Sequence, residues 1–134
     1  MNSSSKHIAV SIVISVLIIA GAMVYVGAGR DEGGEPAATN VVSVVDGRQI
    51  IDIAARGGYS PRKIAAKAGI PTVLRVTTKN TYDCSVALTI PKLDYKKFLG
   101  STAVTDIPVS AEQATGTLRG LCSMGMYSFS VDFQ

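Results

Sequence analysis

The chain has no tryptophan, a single histidine and only two cysteines among 134 residues. The histidine is His7, so everything after it is without imidazole. That excludes Ser-His-Asp and Cys-His catalysis and the common catalytic zinc sites, all of which need a ring nitrogen. No G-x-x-x-x-G-K-[ST] run is there to cradle a phosphate, and the glycines fall at isolated turns. Charge is thin as well. Over residues 41–134 there are eleven Lys and Arg against seven Asp and Glu, spread rather than clustered. No basic stripe carries interleaved aromatics, so a nucleic-acid partner is not expected. The acids show no grouping of the paired kind that glycoside chemistry uses. Together these exclusions point away from an enzyme.

What is present begins with an uncharged run, IAVSIVISVLIIAGAMVYVG, at residues 8–27. At ~1.5 Å per residue a helix of this length spans about 30 Å, the hydrocarbon thickness of a bilayer. Ala20-Gly21-Ala22 resembles the small-residue cleavage site of a signal peptide, but Met23, Val24, Tyr25 and Val26 carry the apolar run past it. The run therefore reads as a retained transmembrane anchor behind a short tail, residues 1–7. Lys6 precedes the span and Arg30 follows it; the α-amino group tips the N-terminus inside, which puts the rest of the chain outside the cytoplasm. The expected location is a cell membrane, crossed once. Residues 28–40 include RDEGGEPAATN, rich in Gly, Pro, Ala and acids, and read as a flexible linker. Residues 41–134 are then one small domain.

That domain is written in short β-branched runs bounded by turn residues. VVSVV from Val41 leads into Asp46-Gly47, a hairpin signal, and then RQIIDIAA from Arg48. TVLRVTT from Thr72, VALTI from Val86, VTDIPV from Val104, TGTLRGL from Thr115 and YSFSVDF from Tyr127 follow. In the last run Tyr127, Phe129, Val131 and Phe133 share one face, as in a half-buried antiparallel strand. LDYKKFLG from Leu93 reads as a helical turn or two. Seven or eight strands at this spacing predict an all-β sandwich or barrel.

The sulfur is concentrated. Cys122, Met124 and Met126 fall within the seven residues LCSMGMY, and the other cysteine is Cys84, in NTYDCSVAL. Thiolates and thioethers are soft donors that select Cu(I) over harder divalent ions, and methionine is not a usual zinc ligand. With no imidazole the His₂Cys site of blue-copper electron carriers is excluded, although one-electron transfer at an unusual copper centre stays as a third possibility. Two cysteines in an extracytoplasmic β-domain also make a structural disulfide, and methionines also fill core gaps. Gly125 between the methionines favours a loop over a packed strand. Both the Cu(I) site and a disulfide-stapled interaction domain remain open on these residues alone.

Three stretches carry a family resemblance: ARGGYSPRKIAAKAGIPTVLRV (55–76), DCSVALTIPKL (83–93) and LCSMGMYSFSV (121–131). They resemble the cupredoxin-like Cu(I)-binding domains of membrane-anchored copper chaperones and of copper-exporting P-type ATPases. The resemblance implies a cupredoxin-like Greek-key β-sandwich. It also implies that Cys84 stands where ordinary cupredoxins have a histidine, with Cys122, Met124 and Met126 supplied by the late loop. Ser123 stands where the resembled pattern has glycine. The implied function is a Cu(I) chaperone in copper homeostasis that passes its ion by thiolate and thioether exchange. Cys84 and Cys122 would hold the ion, Met124 and Met126 would face the exchange, and the partner would be a copper-transporting P-type ATPase or another copper acceptor. Tyr82 and Asp83 then read as supporting or surface residues, and Tyr59, Ser60 and Pro61 as a turn.

Overall fold

The computed structural model describes residues 38–134; the expected tail, the anchor at 8–27 and most of the linker lie outside the described residues. Among the described residues no helix is long and apolar enough to cross a membrane. The described residues form ten strands, in chain order: β1 (Val42–Val45), β2 (Arg48–Ala55), β3 (Tyr59–Ser60), β4 (Lys63–Ala66), β5 (Thr72–Thr78), β6 (Ala87–Ile90), β7 (Tyr95–Phe98), β8 (Ala103–Val109), β9 (Gly116–Cys122) and β10 (Ser128–Phe133). Single 3₁₀ turns flank β6, at Cys84–Val86 and Pro91–Leu93. One sheet runs β1-β2-β5-β8 with β3 paired to β2; the other runs β4-β10-β9-β6-β7.

Period-two alternation sets which side chains fill the space between the sheets. From the first sheet come Ile51, Ile53 and Ala55 of β2, Leu74 and Val76 of β5, and Ile107 and Val109 of β8. From the second come Ile64, Leu88, Ile90, Leu118, Cys122, Phe129, Val131 and Phe133. The rings of Tyr59 and Phe129 meet edge to face across the sheets at 5.2 Å. Cys122 is the last inward position of β9 and is fully buried. The inward position before it is Gly120, paired in register with Phe129. A β-carbon on Gly120 would overlap the Phe129 ring, so the aromatic fills the volume that the glycine leaves.

Several local expectations hold. Asp46 and Gly47 both take positive φ, 51° and 73°, as a two-residue hairpin turn demands. Phe129, Val131 and Phe133 are buried on one face of β10. Others are corrected. LDYKKFLG is not helical: the 3₁₀ turn ends at Leu93, and Tyr95–Phe98 pairs antiparallel with β6 as an edge strand. Its exposed Lys96 and Lys97 suit an edge, where charge discourages pairing with another chain. Tyr59–Ser60 forms a short strand as well as a turn. The sheets are mixed, since β2 pairs parallel with β5 and β4 pairs parallel with β10. The chain leaves β2, crosses to the other sheet as β4, and returns as β5.

Strand direction gathers four connections at one end of the sandwich. Thr78, the end of β5, pairs with Ala103, the start of β8, and Ala87, the start of β6, pairs with Phe98, the end of β7. The β2–β3 turn and the β9–β10 loop lie at this same end, and both cysteines with them.

Candidate metal centre

Cys84 is positioned by side chains. Asp83 caps the 3₁₀ turn that begins at Cys84: its Oδ1 accepts the Ser85 N–H at 2.8 Å and also the Ser85 hydroxyl. Its other oxygen, Oδ2, accepts the Gly57 N–H at 2.8 Å, which ties the loop to the β2–β3 turn. These donors, the Ser85 hydroxyl first and then the two backbone N–H groups, hold the Asp83 carboxyl below its ordinary range. The Tyr59 hydroxyl donates to the Ser85 carbonyl at 2.9 Å, and the Thr81 hydroxyl donates to the Ala55 carbonyl at 2.8 Å. Burial, followed by the nearby Asp83 charge, pushes the Tyr59 hydroxyl up to about 12, so it stays a neutral donor.

Cys122 is positioned by backbone. Its N–H donates to the Tyr127 carbonyl at 2.9 Å, and its own carbonyl accepts the Gly125 N–H at 2.8 Å. The Ser123 N–H donates to Ala87 at 2.9 Å, which prolongs the pairing of β9 with β6. Gly125 takes a φ of 70°, a conformation a side chain would resist. Ser123 is not among the positive-φ residues, so its side chain is accommodated where the resembled pattern has glycine. The Tyr127 N–H points at the Cys122 sulfur, at 3.4 Å.

The structure joins Cys84 and Cys122 sulfur to sulfur as a disulfide, with their Cα atoms 5.7 Å apart, and neither is free. This is the pairing expected of a structural bridge, and it also brings together the two sulfurs that a Cu(I) site requires. The methionines are not core filler: Met124 is 71% exposed and Met126 64%. They differ in placement. Met124 lines a cleft of about 460 Å³ together with Cys84, Tyr82, Phe98 and Ser123, whereas Met126 lies outside that lining. Among the described residues no three of His, Cys, Asp and Glu converge, so the donors gathered here are sulfur. A soft Cu(I) ion fits such a set once the bridge is reduced.

Sequence reasoning did not find the roles of Phe98, Gly57 and Ser85. The Asp-Cys-Ser triplet carries the signal for one of them, because an aspartate two residues before a serine is a common turn cap.

The sequence matches no protein-family model, and no curated protein matches it either. Solved structures do match. The fold is shared with two copper proteins. One is the metal-binding domain of the Cu(I)-exporting P-type ATPase of Streptococcus pneumoniae D39, solved with Cu(I): TM-score 0.67, 22% identity, covering 76% of this chain and 99% of that one. The other is a copper-binding protein solved in its apo form: TM-score 0.64, 21% identity, covering 72% of this chain and 98% of that one. The two-sheet domain thus corresponds to nearly the whole of each.

Proposed function

We propose that the domain binds Cu(I) through Cys84 and Cys122, with Met124 and Met126 completing the exposed side of the site. In this reading the chain is a copper chaperone and not an enzyme. The observation that carries it is the convergence of both cysteines with an exposed Met-Gly-Met loop on a fold shared with copper-binding domains. A dithiol reductant first opens the bridge, giving up two electrons and two protons and becoming a disulfide itself. Cu(I) then displaces the two thiol protons. Transfer begins when an incoming thiolate displaces a thioether, so the ion stays coordinated throughout. The run at residues 8–27 anchors the chain in a cell membrane with the domain on the extracytoplasmic side, and the tether raises its effective concentration at a membrane partner. A copper-exporting P-type ATPase, the kind of protein that carries one of the matching domains, is the partner that fits.

The bridge itself favours a second reading, a disulfide-stapled interaction domain that binds no metal. A Cu(I) titration of the reduced chain against a competing chelator separates the two. Chaperoning requires stoichiometric uptake after reduction. Complete absence of uptake, with both thiols titratable, would leave the stapled domain as the function.

A further inference from the structure

The exposed apolar residues are unevenly distributed. Tyr82 is 83% exposed and Phe98 69%, and both line the cleft that contains Cys84 and Met124. Large apolar groups left in water around a recessed sulfur mark a contact surface. The charges around them are equally uneven. Connections at this end carry Arg56 and Lys79 with Asp83 as their single acid, and Lys97 adjoins Phe98 on β7. Both oxygens of Asp83 are already engaged, by Ser85 and Gly57. At the opposite end the connections carry the reverse excess: Lys67 and Lys92 stand against Asp46, Asp94 and Glu112. The sulfur end thus combines an apolar cleft with an excess of basic residues, and the connections of the other end are slightly acidic.

We infer that the cleft lined by Tyr82, Phe98 and Met124 is the docking face for an acidic protein surface that presents a cysteine thiolate to Cys84. The inference rests on the Cu(I) reading for its purpose, but its geometry stands apart from the metal. Phe98 and Tyr82 supply the area removed from water, and the basic residues of this end, Arg56 and Lys79 with Lys96 and Lys97 on the β7 edge beside Phe98, steer and orient the partner. Charge complementarity of this kind acts on encounter and on register more than on final affinity. It also excludes basic partners, because like charges would be pressed together around the cleft.

Two labelled peptides test this with the copper-free full-length chain in detergent micelles. They share one core, a leucine beside a Ser-x-x-Ser pair, and are flanked by glutamates in one and by lysines in the other. Fluorescence anisotropy should show the acidic peptide binding at least about tenfold tighter at low ionic strength, with the advantage lost at high salt as screening shortens. Lys96→Glu with Lys97→Glu should erase the preference. Arg48→Glu with Lys67→Glu makes the same change of charge at the far end and, read at about 0.1 M salt where the Debye length is about 10 Å, should leave it within about twofold, since exposed charges beyond that length are screened. Phe98→Ser should weaken the acidic peptide severalfold. Equal binding of the two peptides, or equal effects from the two charge reversals, overturns the docking face. The cysteine forms of the peptides, offered to the Cu(I)-loaded chain, should accept copper in the same order. Docking without any uptake of copper refutes the Cu(I) reading alone, and copper binding without charge preference refutes the docking face alone.

Discussion

The loop before Cys84 and the loop after Cys122 meet at one pair of sulfurs but are tied down by different groups. The first adds side chains to its backbone bonds to Ser101 and Leu99: the Asp83 carboxylate reaching Ser85 and Gly57, the Thr81 hydroxyl on Ala55, and the Tyr59 hydroxyl on Ser85. The second relies on backbone: the Cys122–Tyr127 and Cys122–Gly125 hydrogen bonds and the Ser123 link to Ala87. A backbone-tied hairpin loop tolerates changes of side chain, so its methionines are free to project into solvent. A side-chain-tied loop fixes its one cysteine against the core and tolerates little change. The difference suits a site in which one sulfur stays put while neighbouring ligands exchange.

The largest break comes from cutting the link between the loops. The bridge closes a loop with a sequence separation of 38 residues. Chain entropy assigns about 4 kcal/mol to a closure of that size, and native bridges commonly contribute 2–4. Reduction of the copper-free chain should therefore lower its thermal midpoint, and stoichiometric Cu(I) should restore it by binding only the folded state. Cys84→Ser and Cys122→Ser should each abolish tight Cu(I) binding in a chelator competition. Retention of affinity by either variant would remove that cysteine from the site.

Next comes Gly120, on the strand that leads into the backbone-tied loop. Its missing side chain is the space the Phe129 ring occupies, two residues before Cys122. Gly120→Ala forces ring or strand to move and should cost about 1–3 kcal/mol, as overpacking does, read by denaturant unfolding. Asp83→Ala tests the other loop. Losing a cap and the tie to Gly57 should cost about 1–2 kcal/mol and should weaken Cu(I) binding through Cys84 while leaving the Cys122 loop intact. Amide exchange can tell the two apart: Gly57 and Ser85 should lose protection in Asp83→Ala, and Gly125 should not.

The sequence pattern revealed this domain unevenly, for physical reasons. Strands with one buried face announced themselves, as in Phe129, Val131 and Phe133, and Asp46-Gly47 announced its own turn. β7 did not, because an edge strand with Lys96 and Lys97 at its centre has no buried period to read. β4 did not either: its four residues take their place from a parallel partner 67 residues away, and nothing local encodes that. At the site, the scarcity of sulfur elsewhere made Cys84, Cys122, Met124 and Met126 visible together. Asp83 looked like an ordinary surface acid because Gly57 becomes its neighbour only in the fold, whereas its bond to Ser85, two residues on, is local and was there to be read in the Asp-Cys-Ser triplet. The split between Met124 in the cleft and Met126 outside it depends on the turn at Gly125, which composition does not encode.

That split gives the smallest effect on stability and the finest test of the contrast between the loops. Met124 and Met126 are exposed, so Met124→Val with Met126→Val should change unfolding free energy by no more than about 0.5 kcal/mol. If the cysteines hold the ion and the thioethers only face the exchange, the double variant should keep tight Cu(I) binding and slow its transfer to a dithiol acceptor. Because Met124 shares the cleft with Cys84 and Met126 does not, Met124→Val alone should account for most of the slowing. Stopped-flow transfer measured on the two single variants decides between them. Equal slowing would mean that the ion leaves over the open face of the loop, and a loss of affinity as deep as that of Cys84→Ser would mean that the thioethers hold the ion as firmly as the thiolates do.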